Sequence, residues 1–183
     1  MIVSNHISLF DTLVIPYVLL AAQGLHIVRP PAKEELFRNF LLRCLLTSWG
    51  AFPIRRSQGD LRAMRQMCTY MCTEQMMLFP EGTRSVDGWL GRGNRVVGKL
   101  IYLARPIVIP TAILGTDRLL AKGRLLPRLF STLEVRFGPP LDLESYYAAK
   151  DTKATAEALM TAVMRSIARL RGEEAMWLKR FPA

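Results

Sequence analysis

Apolar positions along the chain switch between two periods. Short β-branched or apolar runs, bounded by Gly, Pro or polar residues, predict strands over 2–4, 25–28, 51–54, 75–79, 107–113 and 133–137. Between them, apolar residues three and four apart predict helices over 12–22, 33–47, 59–74, 94–104 and 152–171. Apolar strands alternating with helices imply an α/β fold, a central mixed and largely parallel sheet flanked by helices.

The helical faces differ. In 59–74, Leu61, Met64, Met67, Cys68 and Met71 form a methionine-rich stripe opposite Arg62, Arg65, Gln66 and Thr69. Unbranched thioethers fill irregular gaps, so this stripe reads as core packing. Leu159, Val163, Ile167 and Leu170 give the last long helix a plain scaffold face. In 33–47, Phe37, Phe40, Leu41, Cys44 and Leu45 share one face, with Lys33, Arg38 and Arg43 elsewhere. That pattern suits a helix lying in a membrane interface and, equally, one packed on the sheet. The longest apolar stretch, 13–22, contains Pro16 and reads as a buried helix. It is too short to span a bilayer.

Composition narrows the picture. A chain of 183 residues, half of them hydrophobic, is long enough for one domain with its own core. Mean hydropathy is +0.16. Cys44, Cys68 and Cys72 make no disulfide framework, and nothing near them completes a metal site, so no metal is expected. The formal net charge is +10 and is unevenly spread: residues 84–128 hold nine Lys or Arg against two Asp. Such a field suits a phosphate-bearing substrate, an anionic membrane or nucleic acid.

The chemistry starts at Asn5-His6-Ile7-Ser8-Leu9-Phe10-Asp11. His6 is one of only two histidines. Imidazole moves protons well near neutral pH, and a carboxylate on one ring nitrogen leaves the other free to act as a base. Positions five apart lie about 140° apart around a helix, so His6 and Asp11 meet only if the chain turns between them. An ordinary loop histidine and an Asp capping the next helix explain the pair as well. His26 has no acid in reach and reads as structural.

The second cluster is Phe79-Pro80-Glu81-Gly82-Thr83-Arg84-Ser85. Together with His6-x4-Asp11 it resembles the glycerolipid acyltransferase family, which acylates glycerol 3-phosphate and lysophospholipids at membranes. Gly50-Ala51-Phe52-Pro53-Ile54-Arg55-Arg56 looks like the family's second block, and Pro106-Ile107-Val108-Ile109-Pro110 like its fourth.

The resemblance implies His6 as general base and Asp11 as its orienting acid. It implies a substrate site formed by Arg56, Glu81, Gly82, Thr83, Arg84 and Arg92, with Arg56 and Arg84 on phosphate, Arg92 on phosphate or coenzyme A, and Glu81 on a glycerol hydroxyl or on Arg84. It implies one acyltransferase domain over 1–183. The family's helices ahead of the His–Asp block are missing, so the chain reads as N-terminally truncated.

The implied reaction moves a fatty acyl group from an acyl thioester donor, acyl-CoA or acyl carrier protein, to 1-acylglycerol 3-phosphate, giving phosphatidate. No further cofactor and no nucleic acid is expected. The implied partners are the donor, a lysophospholipid acceptor and the membrane surface, on the cytoplasmic face, with the chain peripheral. The alternatives are another acceptor (glycerol 3-phosphate, a different lysophospholipid or an amino-acid lipid) and a basic module that binds membrane or nucleic acid without turnover.

Overall fold

The computed structural model describes residues 1–8, 10–24, 27–54, 61–119 and 132–182. His26 and the arginines at 55 and 56 lie outside them. The main sheet has five strands in the order β2 (Val28–Arg29), β5 (Gln75–Leu78), β1 (Ile2–Ser4), β6 (Ile109–Leu114), β7 (Glu134–Phe137). All neighbours run parallel except β6 and β7, which are antiparallel. This is the mixed, mostly parallel sheet that the sequence pattern predicts.

The strand alternation sorts side chains onto two faces. Ile2 and Met77 join Ile15 and Leu19 of α1 (Asp11–Gln23) on one side. Val3 points the other way, into a larger core with Ile101 of α4 (Arg95–Ala104) and Leu159, Val163 and Ile167 of α7 (Lys153–Arg171). The stripe of α3 (Leu61–Thr73) buries Met67 and Met71 against Met76, Leu78 and Leu100. The methionines are therefore core, as their spacing predicts. Helices α4 and α7 touch backbone to backbone: a Cβ on Gly98 would lie 2.2 Å from the Ala156 carbonyl oxygen.

Two expectations are corrected. Residues 33–47 are not one helix. Pro31–Lys33 forms β3, paired in parallel with β4 (Phe52–Ile54) as a separate two-stranded sheet. A 3₁₀ turn, Glu34–Arg38, follows, and α2 runs Phe40–Ser48. Asn39 makes the break: its backbone is extended and its side chain accepts from the Leu42 N–H, an N-cap. Neither the turn nor α2 buries a single residue. Likewise α1 is buried on one side only, since Ile15 and Leu19 are enclosed while Tyr17 is 71% exposed.

Pro110 lies inside β6, level with Val3. Its missing N–H falls beside Gly138, just past the end of β7, and its carbonyl accepts from the Gly138 N–H at 2.8 Å. Pro53 sits exposed in β4, at an edge, as its lack of a donor requires. Three short helices were not predicted from the sequence: α5 (Thr116–Leu119), α6 (Glu144–Ala148) and α8 (Glu174–Arg180).

The α4–α7 contact is open to test. Gly98→Ala drives a methyl group into a backbone oxygen that cannot swing away, and overpacking of this kind typically costs about 1–3 kcal/mol. Urea denaturation should show that loss; an unchanged midpoint would mean the two helices pack less closely than described.

Candidate active site

His6 stands just past the C-terminal end of β1, where ligand sites gather in parallel sheets. The chain then turns into α1, and the turn is built around Asp11. This carboxylate is fully buried. Its Oδ2 accepts from His6 Nδ1 at 2.9 Å and from the backbone N–H groups of Ile7 and Ser8, both at 2.7 Å. Its Oδ1 accepts from the Thr116 hydroxyl at 2.5 Å. A charge removed from water needs this many donors. Asp11 also opens α1, where the helix dipole favours a negative group.

The imidazole is fixed on three sides. Asp11 holds Nδ1, so the proton sits there and Nε2 carries the lone pair. The Phe79 ring stacks on it at 4.1 Å, tilted by 13°. The backbone is held from the Glu81 turn, since His6 N–H donates to Glu81 Oε1 at 3.0 Å and Ser85 N–H donates to the His6 carbonyl at 2.7 Å. The side chain remains 15% exposed.

One residue earlier, the buried Asn5 amide pairs with both backbone groups of Ile113. It accepts from the N–H at 2.8 Å and donates to the carbonyl at 2.9 Å. It thereby extends the β1–β6 ladder by one side-chain rung.

Glu81 serves this scaffold and does not pair with Arg84. Its second oxygen accepts from the Gly91 N–H at 2.9 Å, so both oxygens are committed to backbone. Burial pushes its carboxyl up; the two N–H bonds, the charge of Arg171 and that of His6 when protonated oppose that. Gly82 turns the chain at φ 70°, a conformation glycine adopts without strain. Thr83 is exposed beside it. Arg84 is half-buried and has no ion-pair partner among the described residues.

Arg92 is not brought to His6. It is exposed and lines a crevice of about 30 Å³ with Arg95, Glu157 and Trp177. Arg56 lies outside the described residues. The basic stretch is also not one open field: Arg95 pairs with Glu157 and Lys99 with Asp151, across the α4–α7 contact. Among the described residues no three His, Cys, Asp or Glu gather as a metal site.

Residues 1–114 match the acyltransferase family. The chain belongs to that family. The fold of this acyltransferase is similar to the crystal structure of PlsC, the 1-acyl-sn-glycerophosphate acyltransferase of Thermotoga maritima, with a TM-score of 0.64 and 22% identity. The likeness covers 93% of this chain and 65% of that one. No curated protein matches the sequence.

Sequence reasoning did not single out Thr116 or the stacking role of Phe79. The available signal for Thr116 was topological, a hydroxyl just beyond the C-terminal end of a strand neighbouring β1.

Glu81 predicts a pH effect. A carboxyl whose folded pKa is raised stabilises the fold most below its ordinary range, and that contribution is lost as pH rises through the raised value. Stability relative to Glu81→Gln is therefore expected to decline as pH climbs above the ordinary value of 4.5 and then to run level. A difference that stays constant across that range in urea titrations would overturn the reading of Glu81.

Proposed function

We propose that the chain moves a fatty acyl group from an acyl thioester, carried by coenzyme A or acyl carrier protein, to the hydroxyl of 1-acylglycerol 3-phosphate, yielding phosphatidate. The observation that carries this reading is the His6 ring, with Nδ1 committed to a buried carboxylate and Nε2 open. Nε2 takes the proton of the acceptor hydroxyl as its oxygen attacks the thioester carbonyl. The tetrahedral intermediate collapses, the C–S bond breaks, and the imidazolium returns the proton to the leaving thiolate. Asp11 stabilises the imidazolium meanwhile. General-base catalysis of this kind contributes about 10²–10⁴ in rate. No acyl-enzyme is needed, so it is no obstacle that among the described residues no serine or cysteine bonds Nε2.

The acceptor is taken from the named substrate of the Thermotoga protein and from the charge around the site. Arg84, near the Glu81 turn and without an ion-pair partner among the described residues, suits a phosphate through its planar fork. Arg56 is assigned the second phosphate contact. Gly82 and Thr83 complete that rim, and Glu81 acts by holding the turn.

The substrate is a lipid, and the face that meets a bilayer is assigned to α2. Phe40 and Leu41 are 69% and 76% exposed, and Leu36, Leu42, Leu45 and Trp49 are exposed beside them, with Arg38 and Arg43 alongside. An apolar face flanked by cations fits an anionic interface. Among the described residues no helix is long and apolar enough to cross a membrane. The reading is a chain lying on the cytoplasmic leaflet.

Offering labelled acyl-CoA and acyl carrier protein with a panel of lyso-acceptors decides the reaction. Phosphatidate should form, His6→Ala should lose turnover by at least about 100-fold, and Arg84→Ala should raise KM for the phosphate-bearing acceptor more than it lowers kcat. Full activity of His6→Ala would remove His6 as the base, and no turnover by the wild type would leave a binding module without chemistry.

Flotation with vesicles containing anionic lipid tests the membrane face separately. Phe40→Ser with Leu41→Ser should abolish co-flotation while His6→Ala retains it. Undiminished flotation of the double variant removes α2 from the interface.

A further inference from the structure

Arg171, the last residue of α7, lies well beyond the family-matched segment yet its side chain is only 4% exposed. A buried guanidinium has five donors to satisfy, and here they go to three places. Nε and Nη2 donate to Glu173 at 3.0 and 2.7 Å, a fork-to-carboxylate pair. Nη2 also donates to the Gly88 carbonyl at 2.7 Å, and Nη1 reaches the Ile113 carbonyl at 3.5 Å.

Both carbonyls belong to segments that hold His6. Ile113 is the residue gripped by the Asn5 amide, and three residues on is Thr116, which donates to Asp11. Gly88 sits in the loop whose Ser85 N–H bonds the His6 carbonyl and whose Gly91 N–H bonds Glu81. Glu81 in turn accepts from His6 N–H and feels the charge of Arg171. One planar group thus bridges the two flanks of the base. A lysine ammonium has no such fork and cannot face Glu173, Gly88 and Ile113 at once.

We infer that Arg171 is a positioning residue: with Glu173 it clamps the end of β6 to the 81–91 loop and so fixes where the His6 ring points. Its role runs through other groups, and it touches no reacting atom. A misplacement of about 1 Å at a catalytic group lowers turnover by about 100-fold without removing any chemical function.

The test uses the full chain with Arg171→Met, Arg171→Lys and Glu173→Gln, and Arg169→Ala as a control on the exposed side of the same helix end. Two histidines make the ring protons resolvable by NMR, with His26→Gln assigning them. The expected result is a shifted or broadened His6 signal in Arg171→Met, smaller changes in Arg171→Lys and Glu173→Gln, and none in Arg169→Ala.

In acyl transfer, kcat should fall about 10- to 100-fold in Arg171→Met with KM within about twofold. Lysine should restore part of that loss. The kinetic arm rests on the proposed reaction; the NMR arm does not. Should Arg171→Met not fold, Glu173→Gln and Arg171→Lys carry the test. A wild-type His6 signal and wild-type kcat in the folded variants, with only a lower Tm, overturn the clamp. If no acceptor is acylated by the wild type while the His6 signal still moves in the variants, the reaction is wrong and the clamp stands.

Discussion

The site depends on one fully buried carboxylate. Asp11 draws in an imidazole, two backbone N–H groups and a hydroxyl, and that convergence is what shapes the turn between β1 and α1. An uncompensated charge there would be expensive, so the turn, the histidine and Thr116 form together or not at all. The same bonds that stabilise the charge also select the ring tautomer. Fold and chemistry share one group, and a substitution at Asp11 perturbs both.

Around this centre the supports come from distant parts of the chain. Asn5 binds β6 by amide-to-backbone pairing, Glu81 binds β1 and the loop after it, and Phe79 covers one face of the ring. Asn5 and Glu81 fix backbone, Phe79 fixes the ring plane, and none of them bonds the reactive nitrogen. Arg84 contrasts with them, a charge next to the Glu81 turn that no acid pairs with among the described residues. Its neighbours Glu81 and Asp87 are engaged elsewhere, the first with backbone and the second with Ser85, Trp89 and Arg180.

The strands and long helices were legible because their periods are simple: Met76, Met77 and Leu78 alternate between two cores, and Leu159, Val163 and Ile167 repeat along one helix. The His–Asp turn was legible because a spacing of five is incompatible with a helix face. What escaped was non-local or capped by one side chain. Asn39 divides a segment whose apolar pattern continues across it. Thr116 reaches Asp11 across 105 positions, a pairing that only the sheet order creates. Glu81 carries no mark telling a substrate contact from a backbone strut. Arg92 neighbours the right loop but faces α7, since a residue's direction is set by packing and not by its place in a motif.

The strand order has a consequence for synthesis. β1 precedes its two partners, β5 and β6, in sequence but lies between them in the middle of the sheet. Ribosomes deliver it before either partner: β5 is complete only once residue 78 has been translated, and β6 only at residue 114. Closing so long a loop delays assembly. The imidazole therefore takes up its working posture only after β6 and Thr116 have emerged, and a nascent chain short of them has no competent centre.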